Sequence, residues 1–385
     1  MKKTSLLPLL ICLALLSCQP ERKSHSSLYN SIDSLMISLN DTAQFNGNLL
    51  VAKNGKMIYQ KSFGFSNYDT KEKLDDSSMF ELASVSKQFT AMGIMMLQER
   101  GLLAYTDDVR KFVPELPYEG MTIRHFLNHT SGIPDYEIEF SKGWDPKKIA
   151  FNDDMINLLA KNKPVVLFKP GEKWEYSNTA YAILATIIER VAKKSFGAFL
   201  AENIFMPLHM TRTRIYNTRR SSSEKISNYA FGYIYVDSLK KFVLPDSVKE
   251  THFVYTLDGI VGDGTVNSTT GDLFLWNEAL YTEALVKKGT LDEAFISAKL
   301  NDGSVPFDLK REPIQYGFGW GIKIDSVAGK IVQHSGGWPG YATFIQRYID
   351  NKDCIILLTN NSGRAMRQTL DGISEKLKTQ RTEAE

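Results

Sequence analysis

Three cysteines in 385 residues are too few for disulfides to organise so long a chain, so a hydrophobic core must do it. An excess of charge of either sign is missing too: 46 Lys and Arg stand against 44 Asp and Glu, a formal net of +2, which removes the general case for a nucleic-acid partner. There is no apolar run of the roughly 18 residues that mark a membrane-spanning helix. There is no internal repeat, no low-complexity block, no Gly-x-x-x-x-Gly-Lys phosphate loop and no His-Glu-x-x-His zinc pattern. What is present is length and apolar content: with 43% hydrophobic residues the chain can bury one large domain or two smaller ones.

The amino terminus reads as a targeting segment. Met1-Lys2-Lys3, an apolar stretch from Leu6 to Leu16 and the small pair Ser17-Cys18 follow the charged, apolar and small-residue order of a signal peptide. Leu15-Leu16-Ser17-Cys18 resembles the lipobox of bacterial lipoproteins, which makes residues 1–17 a lipoprotein signal peptide and Cys18 the lipid anchor. A plain cleaved signal peptide is the alternative. Residues 18–27 are polar and read as an irregular tether. Once Cys12 leaves with the leader and Cys18 carries lipid, Cys354 is the remaining cysteine and no intramolecular disulfide forms. Loss of Lys2 and Lys3 brings the formal charge from +2 to 0.

Hydrophobic period gives the architecture. Ile32, Leu35, Met36 and Leu39 recur at helical spacing, predicting a helix near residues 27–39. The period then changes: 47–52 and 57–63 read as strands joined across Asn54-Gly55, a strong hairpin signal. Four further strands are expected at 316–324, 330–333, 341–349 and 354–358, with a helical tail over about 364–378. Strands at both ends of the sequence around a mostly helical middle predict an α+β fold: one antiparallel sheet built from N- and C-terminal pieces, flanked by helices. In the middle, 122–128 and 179–191 read as helices, the second with Ile183, Ile187, Ile188 and Val191 as its buried stripe, and another helix starts near Thr270. The bend Gly262-Asp263-Gly264-Thr265 before it is read as backbone geometry.

Chemistry is concentrated at Ser84-Val85-Ser86-Lys87. The pattern Phe89, Met92, Met95, Met96 with a stop at Gly101 predicts an amphipathic helix opened by Ser84. Residues three apart share a helix face, so the Lys87 amine reaches the Ser84 hydroxyl, while Ser86 points elsewhere. A base touching a nucleophile is the minimum unit of covalent catalysis, and the free amides of a helix start suit an oxyanion. Serine is also a good N-cap, and the motif alone recurs by chance.

Two further segments, Tyr176-Ser177-Asn178 and His334-Ser335-Gly336-Gly337, join it in order. Together with Leu127-Asn128-His129-Thr130-Ser131-Gly132-Ile133, Pro170-Gly171 and Trp338-Pro339-Gly340 they resemble the serine β-lactamase and penicillin-binding protein superfamily, in its class C and D,D-carboxypeptidase branch, over about residues 45–362. The resemblance implies a serine hydrolase domain over 28–362, followed by a helix and tail over 363–385, with no cofactor. It implies Ser84, Lys87 and Tyr176 as catalytic residues and Asn178, His334, Gly336 and Gly337 as substrate-binding ones, the amides of Ser84 and Gly337 forming the oxyanion hole. Ser84 would form an acyl-enzyme, with Lys87 or Tyr176 as base. Asn178 would hold Lys87 and the substrate amide; its alternative is a helix N-cap.

His334 stands where class C β-lactamases carry lysine. A histidine is not a fixed cation at pH 7, so a positive charge for a β-lactam carboxylate is not assured; the His-x-Gly form resembles D,D-peptidases, D-amino-acid amidases and esterases of the same fold. The expected activity is hydrolysis of an amide or ester, with D-alanyl peptides of the cell envelope as substrate, by a lipid-anchored protein facing the periplasm or exterior. An esterase, a class C-like β-lactamase and a non-catalytic penicillin- or peptidoglycan-binding relative are the alternatives. His125 and His129, four apart on a short helix, are expected to be structural beside the cleft. Of Tyr136, Trp174, Tyr233, Trp320, Trp338 and Tyr341, most are expected in the core, with Trp338 at the pocket.

Overall fold

The computed structural model describes residues 20–217, 225–307 and 313–382, so Cys18 and the expected signal peptide lie outside the described residues. Helix α1 runs Pro20–Ala43 and therefore starts inside the segment expected to be an irregular tether. Its apolar residues Leu28, Ile32, Met36 and Leu39 are buried; periodicity marks where packing holds a helix, and it is silent on a polar first turn that proline tolerates. Strands β1 (Gly47–Lys53) and β2 (Lys56–Phe63) turn at Asn54 and Gly55, whose φ values of 52° and 71° are both positive, as a two-residue hairpin turn requires.

The helices of the middle that bear on the site are α2 (Lys87–Glu99), α3 (Ile123–Leu127), α4 (Tyr136–Ser141) and α5 (Asn178–Ala192), then α6 (Thr270–Ala279). The expected amphipathic character of α2 is corrected: every residue from Lys87 to Leu97 is buried. It runs between the sheet and α5, where a Cβ on Gly93 would come within 2.8 Å of Ile188 Cδ1. A helix covered on all sides is selected for apolar content all round.

Strands β3 (Gly321–Asp325), β4 (Gly329–Trp338), β5 (Tyr341–Tyr348) and β6 (Asp353–Thr359) complete the sheet, and helix α7 (Met366–Thr382) follows. The order is β3-β4-β5-β6-β1-β2, antiparallel throughout. The α+β sheet of N- and C-terminal strands is thus present. Two limits differ from expectation. The strand expected from Tyr316 begins at Gly321, because Gly319 takes φ 75° and packs on the backbone of Lys87 and Gln88. β4, expected to end at Gln333, continues through the glycines to Trp338, because pairing with β5 (Gly336 with Thr343, Gly337 with Ala342) overrides their low strand propensity. His334 is therefore mid-strand.

Alternation divides the sheet between two cores. Leu49, Val51, Ile355 and Leu357 face α1 and α7, including Ile373 and Leu377; Leu50, Ala52, Ile356 and Leu358 face α2 and the helical middle. Each of these side chains is fully buried, and each valine, leucine and isoleucine among them contributes about 1.5–3 kcal/mol relative to exposure. The site lies on the second side. Among the described residues no helix is long and apolar enough to cross a membrane.

Candidate active site

Ser84 sits on a 3-10 turn, Ala83–Ser86, and α2 proper begins at Lys87. The turn is braced from three sides. Leu82 N–H donates to Val266 O at 2.8 Å, Thr343 Oγ1 on β5 donates to Leu82 O at 2.6 Å, and Ser86 Oγ accepts from Val266 N at 3.1 Å. Ser86 is fully buried and serves the fold, as its place in the motif predicts. Ala83 takes φ 48°, a left-handed conformation that costs a non-glycine residue about 1–2 kcal/mol. The strain sits immediately before the presented serine, where such conformations concentrate.

Gly336 explains how β4 approaches this turn: a Cβ there would fall 2.2 Å from Leu82 O and 2.3 Å from Thr343 Oγ1. That corrects its expected role. Gly336 is packed against the turn and does not line the pocket, whereas its neighbour Gly337, on the opposite face of the strand, is exposed and lines it.

Lys87 is fully buried, and its Nζ has three neighbours: Ser84 Oγ at 3.1 Å, Asn178 Oδ1 at 2.8 Å and Asp263 O at 2.8 Å. Three acceptors match the three hydrogens of an ammonium; they equally match a neutral amine that donates twice and accepts from the serine hydroxyl. Asn178 is not the N-cap of α5. Ser177 is, accepting from Ala180 N, which frees the Asn178 side chain to bridge Lys87 and Glu137 Oε1, the latter at 3.1 Å. The Gly262–Thr265 bend does more than turn the chain, since the Asp263 carbonyl is a Lys87 partner. Gly262, at φ 108°, has no room for a Cβ beside Tyr181 O and Ala185.

Tyr176 is half-buried, with Lys87 Nζ 4.9 Å from its ring centroid, a cation–π arrangement when the amine is charged. His129 clamps both sides of it: Glu175 N–H donates to His129 O at 3.0 Å and Ser177 N–H donates to His129 Nδ1 at 3.1 Å. The rings of His129 and Tyr176 lie 4.3 Å apart. His129 itself is at φ 61°. Since Nδ1 accepts, Nε2 carries the hydrogen, and it is buried without a partner among the described residues; burial, with the charge of Lys87, holds the imidazole well below its usual range and keeps it neutral. His125 likewise turns its Nδ1 to a backbone amide, that of Thr122. We expect His129→Ala to strand the buried Ser177 amide at a cost of about 1–3 kcal/mol and to lower turnover by loosening Tyr176. Thermal denaturation and kcat measured together check this; an unchanged kcat would deny His129 the role.

His334 is 7% exposed. Its Nδ1–H donates to Ser335 O at 2.7 Å, so its Nε2 accepts from Tyr316 O–H at 2.8 Å. Neither nitrogen is left for a ligand, and the side chain is absent from the pocket lining; it supports Tyr176, 6.2 Å away ring to ring, together with Tyr316. Burial first, then the Lys87 charge, lowers its pKa to about 4, so it is neutral at pH 7. For stability the sign follows from the unfolded chain, where histidine takes up a proton below its ordinary value near 6.5. Stability is fully present above pH 6.5 and is lost as pH falls toward 4, with about one proton taken up by His334 on unfolding near pH 5. Urea midpoints between pH 7 and 4.5 should fall, and fall less steeply in His334→Asn; parallel profiles would contradict the assignment.

The pocket in front of Ser84 is lined by Ala83, Asn178, Gly337, Trp338 and residues to which the sequence assigns no functional role, Glu81, Leu257, Ile260 and Asp263 among them. Tyr136, expected in the core, also lines it while donating to Asp263 Oδ2 at 2.8 Å. Trp338 is at the pocket as expected. Tyr233, Trp320 and Tyr341 are buried. Trp174 packs on His129, 5.8 Å ring to ring. Only Asp263 had a signal in the sequence, the Gly-Asp-Gly bend; the others come from segments whose apolar or acidic residues carry no motif.

Comparison with known proteins places the chain in a family. The Beta-lactamase family model matches residues 32–378. The chain is 46% identical over 329 residues to a penicillin-binding protein of Bacillus subtilis (strain 168), covering 86% of this chain and 71% of that one. An octameric penicillin-binding protein homologue from Pyrococcus abyssi superposes with a TM-score of 0.72 at 27% identity, covering 86% of this chain and 73% of that one. D-amino acid amidase from Ochrobactrum anthropi SV3 does so at 0.73 and 22% identity, over 92% and 99%, a likeness of fold.

Proposed function

The chain belongs to the Beta-lactamase family and is a serine hydrolase, and from that premise we propose that it cleaves D-alanyl peptides of the bacterial cell envelope through an acyl-enzyme on Ser84. The observation that carries the reading is the Lys87 amine 3.1 Å from Ser84 Oγ at the base of a pocket edged by Gly337. Ser84 Oγ attacks the carbonyl carbon while its proton passes to Lys87 or Tyr176. The bond to the leaving amine breaks as that amine takes a proton, and water then cleaves the Ser84 ester. Donors at the Ser84 and Gly337 amides would stabilise the oxyanion of both steps; one such donor is worth about a hundred- to a thousandfold in rate.

Charge narrows the substrate. Neutral His334 supplies no cation for a substrate carboxylate, and the pocket lining carries Glu81 and Asp263, with Glu137 beside Asn178. This favours the D-amino-acid peptidase form, with a free amino group on the substrate, over a carboxypeptidase or a β-lactamase. Rates on a D-alanyl peptide with a free amine, its N-acetylated form, a short acyl ester and nitrocefin test it. Fastest turnover of nitrocefin, or an ester hydrolysed with no peptide cleaved, would replace this reading by β-lactamase or esterase.

The setting is part of the proposal: Cys18 carries lipid and anchors the enzyme in the envelope, outside the cytoplasm. Buried methylenes contribute about 0.8 kcal/mol each, so more than one chain gives a durable anchor. Cys18→Ser should move the protein from the membrane to the soluble fraction, and unchanged fractionation would count against the anchor.

A further inference from the structure

Two of the partners of Lys87 Nζ arrive from distant parts of the chain: Asn178 Oδ1 from the first residue of α5 and Asp263 O from the bend before α6, each at 2.8 Å. A buried asparagine outside every motif, Asn152, joins these two segments. It opens the helix Asn152–Asn162, and the residues before it run beside the segment that leads to the bend. Ala150 N–H donates to Thr256 O at 2.7 Å, and Phe151 pairs in parallel with Gly259. This register delivers the Asn152 side chain to Val261. Its Oδ1 accepts from Val261 N at 2.9 Å and its Nδ2 donates to Val261 O at 3.0 Å, the two bonds that a residue of a neighbouring antiparallel strand would make. The same Nδ2 donates to Ala182 O at 2.8 Å, with Thr186 Oγ1 at 3.3 Å, and both of these residues lie on α5. An amide side chain holds an acceptor and two donor hydrogens in one plane, which is what Val261 N–H, Val261 O and Ala182 O require together. Because Val261 N–H is a donor, the direction in which the amide faces is settled.

The places of these partners matter. Ala182 lies one turn along α5 from Asn178, and Val261 lies two residues before Asp263. Asn152, Gly259 and Val261 line a cavity of about 500 Å³ on one side of the segment, while Leu257, Ile260 and Asp263 line the catalytic pocket on the other, so Asn152 stands behind the pocket wall. Thr90 Oγ1 on α2 donates to Gly262 O at 2.6 Å. The segment is thus tied to α2 through Thr90 and Lys87 and to α5 through Asn152. We propose that Asn152 is a positioning residue for acylation: by fastening Val261 to α5 it holds the Asp263 carbonyl and Asn178 Oδ1 at the spacing where one Lys87 amine meets both and still reaches Ser84 Oγ. The inference rests on Ser84 and Lys87 being the acylating pair. Lysine carries its charge on a flexible stem, so its amine stands where its acceptors hold it. With one acceptor displaced the amine follows the other, and a misplacement of about 1 Å costs on the order of a hundredfold in rate.

The test follows fluorophosphonate labelling by intact mass in the wild type, Asn152→Ala and Asn152→Asp, and in each of these combined with Lys87→Ala. Asn152→Asp keeps the size of the side chain and the acceptor for Val261 N–H while removing the donors to Val261 O and Ala182 O. With Lys87 present, each substitution should lower the maximal labelling rate about ten- to a hundredfold and leave the half-saturating concentration close to the wild-type value, because the lost placement is felt in the transition state. In Lys87→Ala the same substitutions should change the rate by no more than about twofold, because a residue that acts through Lys87 has nothing left to place. A circular-dichroism melt sets the temperature below which each variant is folded, and labelling is measured there. Equal losses with and without Lys87, a loss carried by the half-saturating concentration alone, or an unchanged rate in the folded single variants overturns the proposal and leaves Ser84 and Lys87 standing. Failure of both variants to fold at any temperature makes Asn152 a residue of the fold and overturns it as well. If the wild type takes no Ser84-dependent label, the acylating pair and the inference fall together.

Discussion

Ser84→Ala should form no covalent adduct with a fluorescent penicillin or a fluorophosphonate and should lose turnover by a factor on the order of a million, the scale seen when a nucleophile acting within a catalytic unit is removed. Intact-mass analysis reads both the adduct and its lifetime. The variant should stay folded, because Ser84 is only partly buried and its hydroxyl's recorded partner is Lys87 Nζ. Ser86→Ala gives the control: it removes the acceptor of the buried Val266 amide, so it should cost about 1–3 kcal/mol of stability while labelling persists. Equal labelling of wild type and Ser84→Ala would sink the assignment, and labelling lost only in Ser86→Ala would move the nucleophile.

Lys87→Ala has the next largest expected effect. Its amine lies within hydrogen-bond distance of Ser84 Oγ, and a positioned base contributes roughly a hundred- to ten-thousandfold. The variant also withdraws a donor from Asn178 Oδ1 and from the Asp263 carbonyl, so the wall that meets the substrate loosens as well. A fall of kcat by about a thousandfold or more is expected, with acylation becoming the slow step in time-resolved mass spectra. The double variant Ser84→Ala, Lys87→Ala should be little worse than Ser84→Ala alone, because residues acting as a unit are not additive. If Lys87→Ala acylates at the wild-type rate, Tyr176 is the base and Lys87 serves the fold.

A large part of the fold was legible in the chain, element by element. Asn54-Gly55 predicts its hairpin because two consecutive positive φ values are cheap for such a pair. The strands at 341–348 and 353–359 follow from their apolar character between short turns. The limits of β4 were not legible, since Ser335, Gly336 and Gly337 have little strand preference of their own and are held by β5. Nor was the burial of α2 on every side, which depends on α5 and the sheet arriving from distant parts of the sequence.

By itself the sequence determined the chemistry available to this protein: a serine and a lysine one helical turn apart, an asparagine at the start of a helix, glycines at a strand, and the resemblance these motifs carry. Those are local statements, and local spacing decides them. The tertiary structure alone decided the rest. It showed that Ser84 is presented from a strained turn braced by Thr343 and Val266, that His129 clamps the loop on both sides of Tyr176, that His334 is buried and neutral, and that Glu81, Tyr136 and Asp263 wall the pocket. The physical reason is the same in each case. Desolvation, hydrogen-bond closure and pocket charge depend on what lies opposite a residue, and what lies opposite is contributed by segments tens to hundreds of residues away.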